Sequence, residues 1–202
     1  MSDLFPDRIE TERLVLEPFT TENVDLLAYY RHVSRDNPNI EEITEHLSWD
    51  PHETPKESLE FLKSQEEARA EGEDATYVVR PKEGEDGAGE FAGMAGLHPD
   101  WDRRTATLGT WLRKPFWGRG YSGERAAALM EVAFERLGLE VVTVTHEVGN
   151  EKSRRAIRKY VGAHGGQHEG LLRNGAPGSD GPVDLHRYTV TREQWSEATK
   201  GD

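Results

Sequence analysis

Read as a string of apolar and polar positions, the chain switches between two periods. Residues 13–19, RLVLEPF, alternate with strand-forming residues and predict a first strand. Across TTENVDLLAYYRHV the period becomes helical, with Leu26, Leu27 and Tyr30 in step and Thr20 or Thr21 as the expected cap. IEEITEHL, beyond a Pro- and Asn-bearing segment, predicts a short helix. TPKESLEFLKSQEEARAEG predicts a longer one. Thr54 caps it, Pro55 takes the first turn, Glu57 completes a capping box and Gly72 ends it.

The pattern then returns to strands. DATYVVRP (74–81) and EFAGMAGLH (90–98) predict a pair joined by the charged loop PKEGEDGAGE, the glycines of the second thinning it for close packing. RTATLGTWL (104–112) predicts another. Residues 118–137 predict the main helix, with Ala126, Leu129, Met130, Ala133 and Leu137 on one face. LEVVTVTHEV (139–148) is the most strand-like stretch of the chain. NEKSRRAIRKYVGAHGG predicts a helix ended by Gly165 and Gly166. QHEGLLRN and VDLHRYTVT predict two closing strands about a Gly/Pro turn, and the tail past Arg192 is expected to fray. This order makes one α/β (α+β) domain over 9–192, a central mixed sheet with helices on its faces, followed by a tail at 193–202. There is no internal repeat.

Composition narrows the function classes. With 0 Cys there is neither a disulfide framework nor a thiol nucleophile. No apolar run approaches the ~20 residues that cross a bilayer, so no membrane partner is expected, and the lack of Cys makes a cytoplasmic location the expectation. The net charge is −13 and the mean hydropathy −0.79. Five Trp, six Phe and clear periodicity argue against disorder and favour a surface adapted to high salt, as in a halophile. Such acidity disfavours nucleic acid as a partner.

Positive charge is nonetheless concentrated in two places. Residues 113–125 carry Arg113, Lys114, Arg119 and Arg125 against Glu124, and residues 150–159 carry Lys152, Arg154, Arg155, Arg158 and Lys159 against Glu151. The first cluster contains FWGRGYSGE (116–124), which puts two glycines and a serine where one Ser or Asp would cap a helix. The glycines serve either tight strand–helix packing or an anion cradle of successive backbone N–H groups. The spacing is neither that of a P-loop nor of a dinucleotide fingerprint. Two basic clusters in an acidic chain point to a polyanion held between them.

Together these stretches resemble the GCN5-related N-acetyltransferases, and within them the branch that acetylates ribosomal-protein N-termini. IETERLVLEPF (9–19) resembles that branch's opening strand, and GMAGLH, LGTWLRKPFWGRGYSGERA and VGNEKSRRAIRKYVGAHGGQHEGLLRN follow in the family's order. The Arg119–Gly123 turn and the Asn150–x–x–Ser153 helix start carry most of the likeness. The resemblance implies a twisted, mostly antiparallel sheet that splays between TATLGTWL and LEVVTVTHEV. It implies acetyl-CoA as cosubstrate, no metal, and direct attack by an amine in a ternary complex. Pantetheine would pair with the strand ending at Trp111, Leu112 and Arg113. The pyrophosphate would lie on the amides of Arg119, Gly120, Tyr121, Ser122, Gly123 and Glu124, with Asn150 and Lys152 also at the cofactor.

Ser153 is the implied general acid and Tyr160 its substitute. The base is open. The family's usual Glu is replaced by Thr107, and the branch's own Glu has no counterpart near Arg173–Asn174. His98, Glu147, Asp184 and His186 remain, as does water. Trp111, Phe116 and Trp117 either line the acyl or pantetheine channel or pack the core, and the GEDGAGE loop, the helix at 54–71 and WDPHE (49–53) are candidates for the acceptor mouth. The acceptor is a peptide N-terminus or a small amine, the molecule a monomer or homodimer, and a CoA-binding module without turnover is the alternative.

Overall fold

In the computed structural model, which describes residues 4–178 and 181–200, the alternating segments pair into one sheet of eight strands. These are β1 (Ile9–Glu10), β2 (Leu14–Pro18), β3 (Ala75–Pro81), β4 (Gly93–Asp100), β5 (Thr105–Leu112), β6 (Val141–Glu147), β7 (Gln167–Gly178) and β8 (Gly181–Thr191). Their order is β1-β2-β3-β4-β5-β6-β8-β7. Neighbours are antiparallel except β5 and β6, whose parallel pairing needs a crossover. That crossover is the helix α4 (Tyr121–Glu131), extended by a wide π-helical turn over Val132–Arg136.

The other helices are α1 (Leu26–Val33), α2 (Ile40–Thr44), α3 (Pro55–Glu71), α5 (Glu151–Ala163) and α6 (Arg192–Thr199). α1 starts later than its threonines suggest. The N–H groups of Asn23 and Val24 bond back to the Thr20 carbonyl in a turn, and Asp25 caps by accepting from Ala28 N–H at 2.7 Å. α3 follows its sequence signals, with Thr54 at the cap, Pro55 in the first turn and Gly72 at the end. Glu57, however, accepts from the N–H of Glu53 rather than that of Thr54. β4 begins at Gly93, three residues after the predicted start.

Successive residues of a strand face opposite sides, and β3 shows where each core lies. Val79 joins Leu108, Leu129, Met130, Ile157 and Tyr160 beneath α4 and α5, whereas Val78 joins Tyr29, Val33, Leu62 and Met94 beneath α1 and α3. The segment expected to fray forms α6. A reciprocal box between Thr191 and Gln194 starts it, and Trp195 packs on Phe134 with ring centres 5.4 Å apart. No helix among the described residues is long and apolar enough to cross a membrane.

The sheet opens where the family resemblance implied. β5 and β6 pair only at Thr105–Val141, Ala106–Val142 and Thr107–Thr143. Beyond these rungs β5 stays on β4 as far as Leu112, and β6 stays on β8 as far as Glu147. Between them lies a wedge with its vertex at Thr107.

Candidate active site

One wall of the wedge is main chain. Bonded and non-bonded positions alternate along an antiparallel ladder, and Arg113 N–H donating to the Ala92 carbonyl at 2.8 Å fixes the phase. Odd-numbered residues of β5 therefore bond β4, while Leu108, Thr110 and Leu112 direct their N–H and C=O groups across the wedge. At the outer end the Trp117 indole N–H donates to the Leu112 carbonyl at 2.7 Å.

The glycine turn closes this wall. Gly120, the N-cap of α4, sits at φ +84°, where no side chain bonds the helix start. Its carbonyl already accepts from the N–H groups of Gly123 and Glu124. The expected six-amide cradle is thus reduced to Arg119, Gly120, Tyr121 and Ser122, whose N–H groups have no protein acceptor among the described residues. The turn is held from behind. Glu124 accepts from the Thr11 hydroxyl, the Arg13 N–H and Arg13 Nε at 2.5, 2.7 and 2.8 Å, and Arg13 Nη1 donates to the Arg119 carbonyl at 3.0 Å. Burial pushes the Glu124 carboxyl up, but these hydrogen bonds outweigh it and hold it below its usual range.

Most side chains expected at a cofactor are occupied elsewhere. Glu124 is the clamp just described. Tyr121 is buried and donates to Glu85 at 2.5 Å. Arg119 donates to the carbonyl and carboxylate of Asp86, and Arg113 to Glu90 and the Phe91 carbonyl. Trp111 packs on Trp49 and Phe91 in the α1/α3 core, and Phe116 is buried against Tyr121. Lys152 lies 4.2 Å from the Trp117 ring centre and shares Glu42 with Lys114 at 2.7 and 2.6 Å. Those two ammonium groups, Lys114 first, hold the Glu42 carboxyl down to about 2. The charged loop, a candidate for the acceptor mouth, folds over the glycine turn through Glu85 and Asp86.

Across the wedge, β6 leads into α5, which carries Ser153 and Tyr160. Asn150 caps α5, its side-chain oxygen accepting from Ser153 N–H at 3.0 Å. Ser153, Ala156 and Tyr160 then recur on one helical face. Tyr160 is 5% exposed and its hydroxyl has no hydrogen-bond partner among the described residues. Burial raises its pKa, offset in part by the neighbouring Arg125.

His98 lies across the sheet. Its Nδ1 meets Asp74 Oδ1 at 2.5 Å, and its Nε2 lies over Gly96 and, on β5, 3.1 Å from where a Cβ on Gly109 would stand. His98 also pairs with Thr107 at the vertex, so an imidazole stands where the usual Glu is missing. Glu147 contacts His46 at 3.2 Å at the open end of β6. Asp184 and His186 are turned toward β7, through Arg173 and His168. Asp74, His46, Glu42 and the burial of Arg125 escaped the sequence. Each rests on contacts between distant segments.

Comparison with known proteins gives the family and the fold. The model of a GNAT acetyltransferase domain matches residues 13–161. The "Putative ribosomal N-acetyltransferase YdaF" of Bacillus subtilis is 36% identical over 110 residues, 53% of this chain and 57% of that protein. The matched stretch thus spans little more than half of that relative's length. A structure described as a "putative acetyltransferase", from T. thermophilus, superposes with a TM-score of 0.71 at 30% identity, over 98% of this chain and 95% of its own. The fold is also that of the microcin C7 self-immunity acetyltransferase MccE, solved with acetyl-CoA and AMP. The TM-score is 0.79 at 17% identity, over 95% of this chain and 99% of that one.

Proposed function

The chain belongs to the GNAT family of acetyl-CoA-dependent N-acetyltransferases, and from that premise we propose that it acetylates a protein N-terminal α-amine by direct attack in a ternary complex. The observation that carries the reading is the wedge between β5 and β6, whose free strand edge leads straight to the unfilled amides of residues 119–122. Those amides and the helix dipole suit a pyrophosphate. The edge at Leu108 and Thr110 suits the amides of a pantetheine arm as an added strand partner. The orphaned Tyr160 hydroxyl, buried beside α4, is a donor in want of an acceptor. Acetyl-CoA, when bound, supplies an activated acyl group.

The chain's own groups then divide the proton work. Tyr160, kept protonated by its burial, donates toward the departing sulfur. Ser153 lies two turns nearer the helix start and is the second donor, less favoured because its position is more open. Asp74 fixes the His98 tautomer with its proton on Nδ1, leaving Nε2 to accept from the amine. An α-amine, at about 7.7 to 8.0, asks little of that base.

The acceptor class rests on the sequence resemblance and on the ribosomal N-acetyltransferase named among the relatives. Thiol release from acetyl-CoA is the test, measured with free and N-blocked Ala- and Ser-initiated peptides, polyamines, amino acids and aminoglycosides. Turnover confined to free peptide N-termini supports the proposal. Turnover on small amines alone moves the acceptor, and CoA binding with no turnover leaves a binding module.

A further inference from the structure

Between α4 and α5 the molecule buries a charge that the reading above leaves without a task. Arg125 is 1% exposed and is among the largest fully buried side chains. Its Nη1 donates to the Gly109 carbonyl of β5 at 3.2 Å, and its Nε has no acceptor. Among the described residues no Asp or Glu pairs with it. The group that faces it is Tyr160 of α5, whose ring centre lies 5.9 Å from the guanidinium carbon. Arg69 also leaves one nitrogen unmatched, but it pairs with Asp7 and reaches two carbonyls.

A sealed cation with no counter-ion is costly, and truncating such a group or supplying its partner changes the energy strongly. Here the guanidinium and the Tyr160 hydroxyl face each other without forming a hydrogen bond of good geometry, each able to turn its proton toward a third group, an arrangement that suits a small anion formed in place. Gly109, to which Arg125 is tied, lies three residues inward from Leu112, about 10 Å along the strand. A phosphate is served at the glycine turn outside. The anion that arises inside is sulfur.

We propose that Arg125 is the counter-charge for the sulfur that leaves the acetyl group, with the Tyr160 hydroxyl as its companion donor. The assignment rests on the acetyl-CoA reading above. As the amine nitrogen bonds the acetyl carbon, the carbon–sulfur bond breaks and its electron pair goes to sulfur. The amine proton leaves through His98 or water. Sulfur, held as an anion against Arg125, takes the Tyr160 proton, which solvent replaces.

The test is the ionisation of the thiol of bound CoA, followed by the ultraviolet absorbance of the thiolate as pH is raised. Cations lower thiol pKa values, so in the native protein the bound thiol is expected to ionise about one unit below free CoA. Arg125→Gln should return it to the free value or above, and Arg125→Lys should restore part of the shift. CoA affinity by calorimetry should stay within about threefold in both variants, because the phosphate seat is untouched, while kcat of Arg125→Gln falls about 10²-fold. An unshifted thiol in the native protein, which needs no variant to observe, overturns the assignment. So does an equal shift in Arg125→Gln. If the native protein fails to bind CoA at all, the cosubstrate reading falls and this assignment with it.

Discussion

Three positions show how much can turn on one atom. Gly120 holds φ +84° and a Cβ there would come within 3.3 Å of Arg13 Nη2. Gly120→Asp is therefore expected to weaken CoA binding at least about 100-fold in calorimetry, by backbone strain and by a negative charge at an anion seat. Gly96→Ala would drive a methyl into the His98 ring. Its kcat should drop about 10²-fold with CoA affinity unchanged, and an unaltered kcat would remove His98 from the chemistry. Glu124→Gln breaks the clamp behind the turn, at a cost on the order of 2 kcal/mol. The folded carboxyl titrates below its ordinary value, so its contribution is complete above about pH 4.5 and fades as pH falls through the lowered value. The Tm gap between native protein and Glu124→Gln should accordingly shrink from pH 7 to pH 3. The glycine turn and the Asn150 cap were legible because their signals lie within a few adjacent residues. Arg125 was legible only as one cation among several, since nothing local distinguishes a buried arginine from a solvated one. His98 was a bare candidate until Asp74, 24 positions away in the chain, gave it a partner.

At the level of elements, strands with clear alternation and helices with caps matched the sequence, while ends set by turn chemistry did not. Thr20 and Thr21 are good caps in isolation, yet the turn at Thr20–Val24 delays α1 to the cap at Asp25. α6 is the reverse case. Its signal, Thr191 followed by Gln194, was present, but a terminal position suggested fraying, and the contact of Trp195 with Phe134 could not be read from the chain. Thr191→Ala should cost about 1 kcal/mol and lower Tm by about 2–4 °C in a scanning calorimeter. A Tm that does not move would mean that packing, not the cap, holds α6. The splay was legible only through family resemblance, because alternation marks strands without saying where two of them part.

For the molecule as a whole, the sum of charges was plain and their pairing was not. Much of the cationic surplus around the glycine turn is spent on Glu42, Asp86 and Glu90, so the proposed pyrophosphate seat would rely on backbone amides more than on side-chain charge. The net −13 remains and repels itself over a screening length that falls from about 10 Å at 0.1 M salt to about 3 Å at 1 M. Tm is therefore expected to climb as KCl is raised over that range, and a flat or falling Tm would mean that surface ion pairs outweigh the repulsion. One feature of the sheet reaches further still. Only three rungs stitch its two halves along β5 and β6, the shortest ladder between any neighbouring strands from β2 to β8, so the seam proposed to admit a visitor is also the least fastened part of that sheet. A guest that fills it contributes mortar as well as cargo, and each departure of product reopens the joint.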